Sequence, residues 1–252
     1  MPQRDAGTEE DAAAAVAATS SGAEKRRYVR GVFSEIAPRY DLLNHLLSAN
    51  ADRAWRRAAL AGLGWREKPD GVYLDLCAGT LDVGARLARE PGFRGLVIGA
   101  DFAEPMLRAG RGKAPASVVA PVAADALALP LADGSLDGAI VAFGIRNVAD
   151  LDAALREVRR VLAPGARFVI LEFSTPRTAA VRALYHFYFH RVLPAVGRAV
   201  SGHPTAYSYL PKSVANFPVE EELAARMTRA GFGAVTWASL TLGVAAIHVG
   251  RR

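Results

Sequence analysis

The 252-residue chain is 51% hydrophobic and 8% aromatic, which supplies one well-cored α/β domain and argues against two. Its 31 lysines and arginines against 25 acids leave a net charge of +6. That balance favours anionic surfaces, and the lack of a long basic tract with interleaved aromatics favours an acidic membrane face over nucleic acid. A single cysteine, Cys77, excludes an intrachain disulfide and a multi-cysteine zinc site, and suits a reduced, cytosolic setting.

Residues 1–24 are rich in Ala, Thr, Ser and acids without an apolar stripe and are expected to be a disordered tail. Asp5, Glu9, Glu10 and Asp11 stand where a secretory leader would be basic and then apolar. From Lys25 the pattern changes. Val29, Val32, Phe33 and Ile36 recur at helical spacing, with Lys25, Arg26, Arg27 and Arg30 on other faces. This basic amphipathic helix ends before Pro38. A second helical stretch carries Leu42, Leu43, Leu46 and Leu47, and a third carries Trp55 among Arg53, Arg56 and Arg57. Residues 25–66 read either as a flank packed on the core with solvated charges outside, or as a helical lid with Tyr40 facing a ligand.

From Val72 onward strands and helices alternate. Strands are expected over Val72–Cys77, Leu96–Asp101, Ser117–Ala124, Leu136–Phe143 and Ala166–Phe173, with helices over Leu81–Arg89, Glu104–Gly112 and Leu151–Leu162. Short loops between them imply a parallel sheet with helices on both faces. Residues 175–218 form an aromatic insertion on the side where strand ends meet a ligand. Glu220, Glu221 and Glu222 open a helix that Gly231 closes. Ala230–Gly250 carries no charge, but its β-branched alternation and Gly243 indicate an edge hairpin and not a membrane span.

The stretch Tyr73-Leu74-Asp75-Leu76-Cys77-Ala78-Gly79-Thr80-Leu81-Asp82 reads as strand, tight turn and helix. Such a turn gathers backbone N–H groups and a helix N-terminus at one point. Asp101 ends the next strand, where an acid accepts hydrogen bonds from two ribose hydroxyls. Leu81 stands where a dinucleotide fingerprint has its second glycine, so a nucleoside without phosphates is the better ligand. Asp125 either caps a turn or accepts from an adenine amino group. Phe102 and Met106 are either core or apolar walls for the base. His186 and His190 share a helical face but lack a further ligand nearby, so no metal site is expected.

Three stretches resemble a known family. They are Val32-Phe33-Ser34-Glu35-Ile36-Ala37-Pro38-Arg39-Tyr40-Asp41 with Asn44; Phe143-Gly144-Ile145-Arg146-Asn147-Val148 with Leu171-Glu172-Phe173-Ser174; and Tyr207-Ser208-Tyr209-Leu210-Pro211-Lys212-Ser213 with Phe217-Pro218 and Ala230-Gly231-Phe232. From about Tyr28 to Gly250 the chain resembles the ubiquinone/menaquinone biosynthesis C-methyltransferases. That resemblance implies a Rossmann-like class I methyltransferase domain over 25–252, with a mostly parallel seven-stranded sheet, a C-terminal antiparallel hairpin and helices on both faces.

It also implies S-adenosyl-L-methionine as cofactor, held by Asp75, Gly79, Thr80, Asp101, Phe102, Met106, Asp125, Ala126, Ala142 and Phe143. Two departures from the family pattern are Leu81, often glycine, and Ala142, often serine. The implied reaction is methylation of a prenylated quinol ring carbon. Arg146 would stabilise a phenolate or hold the water that takes its proton, and Tyr40 would orient ring or sulfonium. The structural alternative for Arg146 is a pair with Glu172, and His190 and Tyr207 are secondary candidates for substrate contact. The implied setting is cytoplasmic and peripheral on the inner face of an anionic membrane, with no nucleic-acid partner and with room for a homodimer or a quinone-synthesis complex. A soluble phenolic acceptor, or a scaffold without chemistry, are the alternatives.

Overall fold

The computed structural model describes residues 22–37, 48, 50–188, 191 and 206–252, with 206–208 as backbone only. The expected tail up to residue 21, the leucine stretch 42–47, Tyr40, His190 and the Tyr207 side chain lie outside the described residues. In chain order the elements are α1 (Ala23–Ile36), α2 (Ala51–Gly62), β1 (Val72–Leu76), α3 (Asp82–Ala88), β2 (Leu96–Asp101), α4 (Glu104–Ala109), β3 (Val119–Ala123), β4 (Leu136–Ala142), α5 (Leu151–Val161), β5 (Leu162–Phe173), α6 (Ala179–Phe187), α7 (Ala206–Ala215), α8 (Glu220–Arg229), β6 (Gly233–Leu240) and β7 (Ala245–Arg251).

The strands make one seven-stranded sheet in the order β3-β2-β1-β4-β5-β7-β6. Strands β1 to β5 are parallel to one another, whereas β7 runs antiparallel to both β5 and β6. Side chains alternate across the sheet with period two. Ala139 and Val141 of β4 and Phe168 and Ile170 of β5 pack on one face with Leu155, Val158, Leu223 and Met227 of α5 and α8. Ile140, Val169 and Leu171 pack on the other with Trp55, Leu60, Val83 and Leu87 of α2 and α3. Both faces are therefore covered, as apolar parallel strands require.

Local chemistry sets the element ends. Asp150 caps α5 by accepting from the Ala153 N–H at 2.9 Å. Gly231, at φ 92°, ends α8 with two bonds, its own N–H to the Thr228 carbonyl and the Phe232 N–H to the Met227 carbonyl; this pairing is a Schellman cap that needs a left-handed residue. The hairpin turns at Thr241–Gly243, as its glycine indicated. Strand β5 starts four residues before the expected Ala166, because Leu162 pairs with Leu136 across a bulge. Arg56 departs from the expected solvated face. It is only 7% exposed, 3.5 Å from Asp52 and stacked over the Phe143 ring.

Candidate active site

The order of the sheet reverses between β1 and β4, the place where open α/β sheets bind ligands at their carboxyl ends. A cavity lies there. Its floor comes from Leu76, Cys77 and Gly79 after β1, from Ala100, Asp101 and Phe102 after β2, and from Phe143, Gly144 and Asn147 after β4. Its roof is α1, which presents Arg26, Val29 and Phe33 to it.

Backbone strain gathers at this floor. Cys77, Leu81 and Phe143 have φ of 52°, 64° and 62°, a region costing non-glycine residues about 1–2 kcal/mol each. All three flank the reversal, so strands β1 and β4 both turn sharply away just past it. A Cβ added to Gly144 would sit 2.4 Å from the Cys77 Cβ; only glycine lets the two strand ends approach this closely. Burial, reinforced by several carboxylates of which Asp101 weighs most, pushes the Cys77 thiol upward, so it stays protonated and a poor nucleophile.

Asp101 organises the floor. Its Oδ2 accepts from the Gly79 N–H at 2.9 Å and its Oδ1 from the Ala103 N–H at 2.8 Å. Burial raises its pKa, with these backbone N–H groups pulling it back down. The Phe102 N–H adds to this pull, and a carboxylate has about four lone-pair sites, so acceptor capacity remains for a ligand. Met106 and Phe102 line one side and Phe143 the other. Phe143 is held from behind by Phe173 and Trp55, with ring centroids 4.6 and 6.0 Å away.

Asp125, at the end of β3, accepts from the Leu127 N–H through Oδ1 at 3.0 Å and meets Arg26 of the roof at 2.9 Å through Oδ2. Thus Gly79, Asp101, Phe102, Met106, Asp125, Ala126 and Phe143 line one cavity, as expected together. Asp75, Thr80 and Ala142 are not among its lining residues. Asp75 lies beneath the turn, fully buried, and accepts from the Gly84 N–H of α3 at 2.9 Å; Thr80 is 2% exposed.

Arg146 is not a lining residue either. Its guanidinium donates to Glu172 Oε1 at 2.7 Å, to the Phe143 carbonyl and to Ser213 Oγ at 3.3 Å, and it lies 5.5 Å over the Phe173 ring. The pairing with Glu172 anticipated as the structural alternative is present. Burial pushes the Glu172 carboxyl upward, against the pull of the guanidinium. Asn147, beside them, accepts from the Tyr209 hydroxyl at 3.1 Å, which ties the β4 loop to α7.

Sequence reasoning left residues 25–66 as either a packed flank or a lid over the site, and α1 of that stretch lends Arg26, Val29 and Phe33 to the cavity lining. The stripe of Val29 and Phe33 marked the apolar face without naming the residues it would meet. Lys25, which donates to the Arg146 carbonyl at 3.1 Å, and Arg26 looked like surface charge. No helix-only pattern separates a solvated arginine from one that bridges to a distant carboxylate.

The donor set suits a nucleoside. Asp101 offers a buried carboxylate for ribose hydroxyls, Phe102, Met106 and Phe143 offer apolar walls, and the one cationic lining residue among the described residues, Arg26, is already paired. A diphosphate would need unpaired cations or free N–H groups, and the Gly79 N–H is committed to Asp101. This sheet has the fold of the class I S-adenosylmethionine-dependent methyltransferases. An S-adenosylmethionine-dependent methyltransferase from Thermotoga maritima superposes with a TM-score of 0.60 at 20% identity, covering 88% of this chain and 98% of that one. One from Mesorhizobium loti gives 0.57 at 19%, covering 82% and 100%.

The chain belongs to the ubiE/COQ5 methyltransferase family, whose model matches residues 20–252. It is 53% identical over 224 residues to a demethylmenaquinone methyltransferase of Thermus thermophilus, covering 88% of this chain and all of that protein. It is 44% identical over 233 residues to a ubiquinone/menaquinone biosynthesis C-methyltransferase of Geobacter sulfurreducens, covering 91% and 90%.

Proposed function

We propose that the chain methylates a ring carbon of a prenylated quinol in menaquinone and/or ubiquinone biosynthesis, with S-adenosyl-L-methionine as methyl donor. Relatives at 53% and 44% identity carry those activities in their names. The observation that supports the reading in this chain is Asp101, a buried carboxylate at the end of β2 that lines the apolar-walled cavity.

Bound there, S-adenosylmethionine supplies a methyl on an electrophilic sulfonium. Asp101 holds the ribose, Asp125 the adenine amino group, and Phe102 and Met106 the faces of the base. Helix α1 excludes water, which both aligns the reacting atoms and prevents hydrolysis. Ring carbon becomes nucleophilic once an adjacent hydroxyl loses its proton. Arginine stays protonated, so Arg146 serves by stabilising phenolate charge or by holding the water that takes the proton; Glu172 and the Phe143 carbonyl fix its guanidinium for this. Tyr40 orients ring or sulfonium.

The chain works as a peripheral protein on the inner, anionic face of the membrane, where a prenyl tail resides. Leu184 and Phe187 of α6 support this, being 68% and 59% exposed, as does the net charge of +6. No helix among the described residues is long and apolar enough to cross a membrane. Labelled S-adenosylmethionine offered with demethylmenaquinol and with methoxy-polyprenyl-benzoquinol side by side tests the reaction. Methyl transfer to neither, with transfer to a soluble phenol, would overturn it. Binding to anionic liposomes that survives about 0.5 M salt unchanged would remove the electrostatic part of the docking.

A further inference from the structure

The roof of the cavity is fastened to its floor at two points by adjacent residues of α1. Lys25 reaches the Arg146 carbonyl after β4, and Arg26 reaches Asp125 after β3. Arg26 and Asp125 both line the cavity, and both are part-exposed, with side-chain exposures of 45% and 32%. Asp125 is oriented from the loop side by the Leu127 N–H on Oδ1. Arg26 takes one position on Oδ2, and the carboxylate retains acceptor capacity on each oxygen.

We infer that Arg26 is a positioning residue for the nucleoside end of the site: its ion pair with Asp125 holds α1 shut over the base and aims the carboxylate at it. The inference rests on the S-adenosylmethionine reading above. An ion pair exposed to this degree contributes little to folding. Its consequence lies in where it sits, since breaking it opens the cavity at its edge and leaves the sheet untouched. With the pair broken, α1 is expected to lift more often from the bound nucleoside, so the change appears in release more than in capture.

The test uses S-adenosylhomocysteine binding to the full chain, by calorimetry for affinity and stopped flow for rates. Arg26→Ala is expected to weaken binding about two- to five-fold, the range a half-exposed pair supports, with the change in release. The cofactor KM rises to match while kcat at saturation holds. Arg27→Ala removes the same charge from an exposed position of α1 and is expected to bind normally. Arg26→Lys restores part of the loss, and in an Asp125→Asn background Arg26→Ala has no further effect. If α1 is lost by circular dichroism in the alanine variant, Arg26→Gln, which keeps the aliphatic stem, takes its place. Equal release rates for parent and Arg26 variants, or equal weakening by Arg27→Ala, overturn the inference. Failure of the parent chain to bind S-adenosylhomocysteine overturns the cofactor reading itself, and so is told apart from failure of the clamp.

Discussion

Leu81 fills the space above Gly99: a Cβ built on Gly99 would stand 2.4 Å from Leu81 Cδ2. Leu81 holds φ 64° at the start of α3 and is 4% exposed, so burial of its side chain offsets the strain of a left-handed leucine. Gly99→Ala is expected to destabilise the chain by about 1–3 kcal/mol through overpacking. In a Leu81→Ala background most of that penalty should vanish, because the obstacle is gone. Urea denaturation of the four chains gives the coupling; additive penalties would refute the contact.

Gly110 answers differently. A Cβ there meets the Thr80 carbonyl at 2.4 Å, and backbone cannot rotate away as a side chain can. Gly110→Ala is expected to displace the Gly79–Leu81 turn and to weaken S-adenosylhomocysteine binding at least tenfold. Removing Leu81 should not rescue it. Calorimetric titration of the single and double variants checks both statements.

Arg146 and Glu172 form a buried pair at 2.7 Å, with side chains 7% and 3% exposed. Arg146→Ala leaves a buried carboxylate alone, a loss of about 3–5 kcal/mol. Arg146→Met with Glu172→Leu removes both charges and should recover most of that stability. Methyl transfer should stay low in this double variant, since the guanidinium is gone. Recovery of stability and activity together would reduce Arg146 to a structural role.

Burial lifts Asp75 to about 7. The folded chain therefore holds this proton more tightly than the unfolded chain, whose aspartates titrate near about 3.9. Stability falls as pH rises between those two values, and the penalty is complete above the upper one. Asp75→Asn keeps an acceptor for the Gly84 N–H. It should reduce the loss of stability between about pH 5 and pH 8 by on the order of 2 kcal/mol, as followed by denaturation at each pH. An unchanged slope would show that Asp75 is ionised throughout.

His248 titrates in the opposite sense. Burial lowers its pKa, and Nδ1 has no hydrogen-bond partner among the described residues. The unfolded chain takes up that proton first, so stability is lost as pH falls below the unfolded value of about 6.5. His248→Phe should remove this acid-side loss and leave the Asp75 slope intact.

The strand runs were legible because parallel strands buried on both faces are nearly continuous apolar segments, and β2 was read to the residue, Leu96–Asp101. The position of Asp101 in the cavity was legible from its place at the end of that run. Less legible was anything joined across long sequence distances. Arg26 and Asp125 are 99 positions apart by their numbers, and neither has a local pattern that names the other. Leu81 was read as a missing glycine; in the fold it takes the backbone shape of one and uses its side chain elsewhere. Arg56 was read as solvated charge because a helix pattern counts faces and not neighbours, and here the neighbour is an aromatic ring.

The strands of the sheet span residues 72–251, and α1 is not paired with any of them. The same helix lends Arg26, Val29 and Phe33 to the cavity lining. Thermal melting reports on the sheet, so a preparation clipped or altered near residues 23–36 can melt like the parent and still fail to retain its nucleoside. For this chain a melting curve is a certificate of folding and not of competence, and quality control of a sample needs a ligand in the cuvette.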